Sequence, residues 1–188
     1  TANFRTGPCK AVAEGKKGVC TDRRCLSPNV CPNLIKGHSE YLELLRRASA
    51  VQGVKKVFVR SGIRHDYVMA DKSYGGMFIE ALAKRHVSGQ LRTAPEHICP
   101  EVLSLMGKPS YEVYEKFVSR FNAASKKAGL EQYVVPYLMS SHPGSTMKSA
   151  ERLAAYMQKN HVHSEQVQDF YPTPATAATV MYYTGIDP

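Results

Sequence analysis

The sequence predicts an α/β fold of successive βα units on a parallel sheet. From about residue 39 onward, short apolar runs of strand length alternate with longer stretches of helical periodicity. Each apolar run closes on a polar loop containing Gly or Pro, whereas residues 1–38 follow neither period. About four βα units are legible, too few for a closed eight-stranded barrel. An open sheet and part of a TIM-like barrel both satisfy this pattern.

Residues 1–38 are rich in Gly, Pro, Lys and Cys, with turn signals at Ser27-Pro28-Asn29 and Cys31-Pro32-Asn33. They read as an irregular first segment, and 39–188 as the βα repeat. Ser39 is placed to cap a helix whose apolar face is Leu42, Leu44, Leu45 and Ala48, with Arg46 and Arg47 near its negative end. Val57-Phe58-Val59 reads as the first strand, and 60–66 as the loop after it. A helix then carries Met77, Ile79, Leu82 and Ala83, and Gln90 to Ala94 reads as the second strand. Helix 101–106 is stopped by Gly107-Lys108-Pro109. In 111–128, Val113, Phe117, Phe121 and Ala124 recur at helical spacing. Gln132 to Leu138 is the third strand, and Ser145 is a candidate cap for a helix faced by Met147, Ala150, Leu153, Ala154 and Met157. Val167 to Phe170 is the fourth strand, and a last helix runs from about Ala175 to Tyr183.

Net charge is +9, with Lys10, Lys16, Lys17, Arg23 and Arg24 clustered early. Such a stretch suits either an anionic partner such as RNA or a solvated surface. No apolar run reaches the roughly 18–20 residues of a spanning helix, so no membrane partner is expected. Five cysteines, an odd number, argue against a secreted disulfide framework and lead to the expectation of a cytoplasmic location.

In sheets of this kind ligands gather at the carboxyl ends of the strands. That rule selects Ser61, Gly62, Arg64, His65 and Asp66 after the first strand, and Glu96 and His97 after the second. It selects Ser140, Ser141, His142 and Gly144 after the third, and Asp169, Tyr171 and Thr173 after the fourth. The glycines and the neighbouring prolines also fit simple tight turns. His65, His97 and His142 suit a metal if they converge, or hydrogen bonds within their loops. No dinucleotide fingerprint, P-loop or His-Glu-x-x-His motif occurs. Cys9, Cys20, Cys25 and Cys31 follow a Cys-x10-Cys-x4-Cys-x5-Cys spacing. Four thiolates can hold zinc or an iron–sulfur cluster, and free or disulfide-paired thiols fit equally.

Several of these motifs together carry a specific resemblance. Cys20-x4-Cys25-x5-Cys31, Gly53-Val54-Lys55-Lys56-Val57, Ser61 to Asp66, Ala94-Pro95-Glu96-His97 and Leu105 to Pro109 belong to it. So do Tyr137 to Gly144, Gln166 to Pro174 and Met181 to Gly185. The sequence resembles YgiQ-type radical S-adenosylmethionine (SAM) proteins over nearly its whole length, and more weakly the methylthiotransferase-like radical SAM barrels. The resemblance implies a partial barrel of six βα units, of which these would be the third to sixth. It also implies a 4Fe-4S cluster on a Cys-x3-Cys-x2-Cys loop, and SAM cleaved to a 5′-deoxyadenosyl radical. No such cysteine loop occurs in this sequence, so the chain alone is expected to be inactive and to need the missing N-terminal part of the barrel. On the same resemblance, Glu96, Ser141 and Gly144 are expected to contact SAM, and Arg64, His97, His142 and Tyr171 an unknown substrate. The rival expectation is a non-catalytic module binding RNA or a protein partner through its Cys/Lys-rich first segment.

Overall fold

The computed structural model describes residues 5–6, 25–27, 30–35, 37–162 and 167–188. The short strands β1 (Arg5–Thr6) and β2 (Leu34–Ile35) pair antiparallel. The helices are α1 (Ser39–Ser49), α2 (His65–Ala70) and α3 (Gly75–Ala81), which runs into a π-helical turn (Leu82–His86). Strand β3 (Gln90–Glu96), α4 (Pro100–Leu105), α5 (Tyr111–Lys127) and β4 (Tyr133–Ser140) follow, then α6 (Met147–Lys159), β5 (Val167–Asp169) and α7 (Ala177–Thr184). The second sheet has the order β3-β4-β5, all parallel. The result is a mixed α/β fold with a small open parallel sheet; among the described residues there is no closed barrel.

The core forms where α5 crosses β3. Phe117 and Phe121, one turn apart, point to the same side of α5 and are fully buried against Phe78, Leu82 and Leu91. Along β3 burial alternates: Leu91 and Thr93 face the helices and Arg92 the other side, and the register with β4 then shifts between Thr93 and Glu96. The flanks of the α5 face differ from the expected set. Tyr114 and Ser125 are buried, whereas Val113 and Ala124 lie half-buried at its rim. The Ser125 hydroxyl donates to the Leu130 carbonyl at 2.9 Å, and Gly129 takes a left-handed φ of 68° that ends the helix. Gln132 then donates to the carbonyls of Ala83 (3.0 Å) and Val87 (2.8 Å), joining the π-helical turn to the start of β4.

The expected first strand at 57–59 is not a strand. His86 takes its hydrogen-bonding groups: its ring Nδ1 bonds the Val57 carbonyl, and its own carbonyl accepts the Val59 N–H, both at 2.8 Å. Only Ile63 reaches β3, through one parallel bridge to Thr93 and an N–H donated to the Arg92 carbonyl at 3.0 Å. The expected loop 60–66 is also shorter, because α2 starts at His65. Asp66 sits in its first turn and accepts the Tyr67 N–H at 2.9 Å, where a carboxylate suits the helix dipole.

Two expected helix caps move by one residue. The residue before α1 is His38, not Ser39. Its N–H and ring Nδ1 both bond Asp71 Oδ2 at 2.8 Å, while Asp71 Oδ1 accepts the N–H groups of Ser73 and Tyr74. In α1, Leu45 is buried but Leu44 is exposed, since only one stripe of the helix meets the core. Helix α6 is capped by Thr146, which exchanges hydrogen bonds with Ser149 in a capping box. Ser145, one residue earlier, does not cap it.

The apolar face expected for α6 is largely uncovered. Met147, Ala150 and Ala154 are exposed, and Leu153 and Met157 only half-buried. The bonds that hold α6 are polar: Arg152 to Glu101 at 2.7 Å and the Tyr156 hydroxyl to Glu115 at 3.2 Å. Strand β5 is exposed along its length, as are Val180, Tyr182, Tyr183 and Ile186 around α7.

Two adjacent glycines at the start of α3 give opposite predictions. A Cβ on Gly75 would collide with the Val68 carbonyl oxygen, whereas nothing lies within 4 Å of one on Gly76. Gly75→Ala should therefore destabilise the fold by about 1–3 kcal/mol or more in denaturant unfolding. Gly76→Ala, on an exposed helical site, should stabilise it by about 0.5–1 kcal/mol. Equal midpoints for the two variants would contradict this packing of α3 on α2.

Candidate functional site

At the carboxyl ends of β3, β4 and β5 lies a cavity of about 490 Å³. Five of the sequence-derived site residues line it: Glu96, His142, Asp169, Tyr171 and Thr173. Glu96 is the last residue of β3 and has φ 69°, a left-handed conformation rare outside glycine. Lys108 holds its carboxylate at 3.3 Å and also donates to the Ala94 carbonyl at 3.0 Å. Both side chains are about four-fifths buried (18% and 21% exposed), so the pair is largely screened from solvent. His142 is buried, with its ring edge against Phe170 at 5.6 Å. Its Nδ1 lies 2.9 Å from the Pro143 carbonyl, which only a protonated nitrogen can satisfy. Tyr171 is 79% exposed and stands at the rim.

The other expected residues lie beside the cavity or beneath it. Ser141 is exposed, has φ 60°, and donates to Asp169 Oδ1 at 3.1 Å. Ser140 donates to the same oxygen, and these two hydroxyls hold the Asp169 carboxyl below its usual range. Gly144, at φ 86°, packs on Leu105, whose methyl a Cβ there would meet. Arg64 turns to Asp66 with two parallel hydrogen bonds, 3.0 and 2.5 Å. Burial pushes the Asp66 carboxyl up, but the hydrogen bonds and charge of Arg64 outweigh it and hold the group low. His97 is buried, and its Nδ1 accepts the Cys99 N–H at 3.0 Å, a local bond at the start of α4. Burial pushes its pKa down.

Sequence reading missed Lys108, Met106, Met139 and Gln168, all of which line the cavity. Lys108 was legible only as part of a helix stop, and nothing local marks it as the partner of a residue twelve positions earlier. The chemistry of the cavity is mixed. Met106, Met139 and Phe170 give it apolar walls, and Glu96, Lys108, His142 and Asp169 supply convergent polar groups. The non-glycine residues Glu96, Ser141 and Ala175 all have positive φ near three adjacent strand ends. Strain of that kind, about 1–3 kcal/mol per residue, concentrates at functional sites.

The thiol site is only partly visible. Cys9 and Cys20 lie outside the described residues, as does most of the basic segment expected to bind RNA or a protein partner. Cys25 is exposed, while Cys31 is buried with Leu26, Leu34 and Tyr67, and its N–H donates to the Cys25 carbonyl at 2.8 Å. Among the described residues no three His, Cys, Asp or Glu side chains come together as a metal site, so His65, His97 and His142 do not converge as one.

A larger recess of about 1040 Å³ opens on the helical side, between α5, β4 and α6. Tyr111, Tyr114 and Tyr156 line it, and burial pushes up all three phenols, Tyr114 to about 12. It contains none of the strand-end residues.

Comparison with known proteins gives two kinds of match. The family described as "Domain of unknown function (DUF3362)" matches residues 165–188, a stretch that holds β5 and α7. A UPF0313 protein of Clostridium botulinum (strain Okra / Type B1) is 53% identical over 188 residues, all of this chain and 29% of that protein. One from Clostridium perfringens (strain ATCC 13124) is 50% identical over the same 188 residues, 28% of its length. The chain thus spans under a third of the curated relatives it matches. No solved structure matches it significantly. No described helix is long and apolar enough to cross a membrane.

His65 yields a pH prediction. It is buried against Tyr114 and Phe117, and burial pushes its pKa down to about 4, so it is neutral at pH 7. A pKa lowered on folding gives stability that is full above about pH 6.5 and is lost as pH falls toward 4. Unfolding free energy should drop by about 3 kcal/mol across that window and flatten in His65→Phe. An unchanged slope in the variant would remove His65 as the cause.

Proposed function

We propose that this chain supplies the SAM- and substrate-facing strand ends of a radical SAM enzyme, within a polypeptide as long as its relatives. The observation that carries the reading is the convergence of Glu96, Lys108, His142, Gln168 and Asp169 on one cavity at the carboxyl ends of three parallel strands. The motifs shared with YgiQ-type proteins fall on the same loops: Ala94-Pro95-Glu96-His97 ends β3, and Ser140 to Gly144 follow β4.

The cavity fits a cofactor such as SAM. Its 490 Å³ lies in the roughly 300–1,000 Å³ range of small-molecule sites, and it combines apolar walls with a few fixed polar groups. Glu96 would accept hydrogen bonds from hydroxyl or amino groups, and its left-handed backbone aims it from the strand end into the cavity. Lys108 holds that carboxylate in place. His142 commits Nδ1 to the Pro143 carbonyl, and Met106, Met139 and Phe170 would exclude water from an adenine-sized ring. When bound, SAM supplies a hydrogen-abstracting group. The described residues do not fit an iron–sulfur cluster, and no Cys-x3-Cys-x2-Cys occurs in the sequence, so no step is assigned to a cluster held by this chain. Glu96, Ser141 and Gly144 remain the proposed SAM-side residues, and Arg64, His97, His142 and Tyr171 the proposed substrate-side ones. Arg64 and His97 would act from outside the cavity wall, by holding Asp66 and the start of α4.

A full-length relative, reconstituted anaerobically with iron and sulfide, should cleave SAM to 5′-deoxyadenosine. The equivalents of Glu96→Ala and Lys108→Met should weaken SAM binding at least tenfold, about 1.4 kcal/mol, at unchanged iron content. No cleavage by the reconstituted wild type, or wild-type affinity in both variants, would overturn the reading.

A further inference from the structure

A third recess lies at the amino end of β3, on the sheet face that the α2–α3–α5 layer leaves uncovered. It measures about 230 Å³, and its lining includes Arg60, Ser88, Gly89 and Arg92. Arg92 sits two residues into β3, on the opposite face from the core residues Leu91 and Thr93. At about 3.3 Å per residue it stands about 13 Å along the strand from Glu96, so the two sites are separate. Phe58 forms another wall, and Lys56 places its ammonium 5.9 Å from the centre of that ring. Two arginines therefore line one small polar recess, with a lysine against one of its walls.

Elsewhere in this structure Arg46 is paired with Glu43, Arg64 with Asp66 and Arg152 with Glu101, while the exposed Arg47, Arg85 and Arg120 have no such partner among the described residues. Among the described residues neither the Arg60 nor the Arg92 guanidinium has an ion-pair or hydrogen-bond partner. Arg92 is moreover half-buried, where an unmatched charge costs more than at the surface. Two arginines lining one recess bring like charges to it, and an anion bound there would offset both. An oxyanion is the matching shape, because each planar fork can donate two parallel N–H bonds to it.

We propose that Arg60 and Arg92 form an oxyanion-binding site, with Lys56 adding charge at its edge. The ligand chemistry is a phosphate or carboxylate group. Its source is either a soluble phosphate-bearing compound or an acidic side chain from another part of the longer polypeptide. The site stands on this geometry alone and does not depend on the radical SAM reading.

Calorimetric titration with inorganic pyrophosphate tests it, on this chain and on a full-length relative. Saturable binding to the chain is expected, weakened at least tenfold by Arg60→Gln and by Arg92→Gln, and reduced by added salt. Arg60 is exposed, so its variant reports on binding even where Arg92→Gln perturbs the strand. Glu96→Ala, in the other cavity, should bind pyrophosphate as the wild type does. Binding to both proteins assigns the site to a soluble phosphate compound. Binding to the chain but not to the longer protein assigns it to an internal carboxylate. Absence of saturable binding to the chain, or wild-type affinity in Arg60→Gln, overturns the proposal.

Discussion

Phe117 and Phe121 press one turn of α5 onto Leu91 of β3, and the arrangement of the rest of the molecule follows from that contact. Phe78, Leu82 and Ala83 close around the same point, so α3 and its π-helical turn are fixed by it as well. Because strand side chains alternate, burying Leu91 and Thr93 under the helices commits Arg92 to the other face, whereas Glu96 follows a shift in register between Thr93 and Glu96. A register slip of one residue would place Arg92 in an aromatic core. The position of the recess around Arg92 is thus set by packing on the opposite face.

The second half of the chain is held differently. Strand β4 shares a long ladder with β3, but β5 pairs with β4 only from Val167 to Asp169 and is exposed throughout. Helix α6 is attached by polar side-chain bonds, and the surface around α7 presents Tyr182, Tyr183 and Ile186 to solvent. The DUF3362 match begins at residue 165 and so takes in a strand that is hydrogen-bonded into the sheet. Residues 167–188 therefore extend the β3-β4 sheet rather than forming a unit of their own. Apolar surface of this kind, on a chain that spans under a third of its relatives' length, is the surface the proposed larger enzyme would cover.

Elements with a strong local signal were legible in the sequence. Helix α5 was marked by Phe117 and Phe121 at helical spacing, and β3 and β4 by apolar runs ending on Pro- and Gly-containing loops. What failed depended on partners distant in sequence. Val57 to Val59 has strand composition, but His86, some thirty residues later, takes the groups a ladder would need. The α6 face has correct amphipathic spacing, yet spacing cannot say what lies opposite it. At the site, the strand-end rule found Glu96, His142, Asp169, Tyr171 and Thr173 because it depends only on topology. It missed Lys108, whose part is fixed by the way Gly107-Lys108-Pro109 folds back toward β3. Arg64 and His97 satisfied the same rule and were found bonded to their own loops, a distinction only geometry makes.

The central claim is that the open sheet face, β5 and the outer side of α6 are completed within the longer polypeptide, while the α2–α3–α5 core is self-sufficient. Amide hydrogen exchange on this chain and on a full-length relative tests it directly. The account predicts equal protection of α5 and β3 in both, with β5, α6 and α7 protected only in the longer protein. Equal protection of β5, α6 and α7 in the two proteins would contradict it.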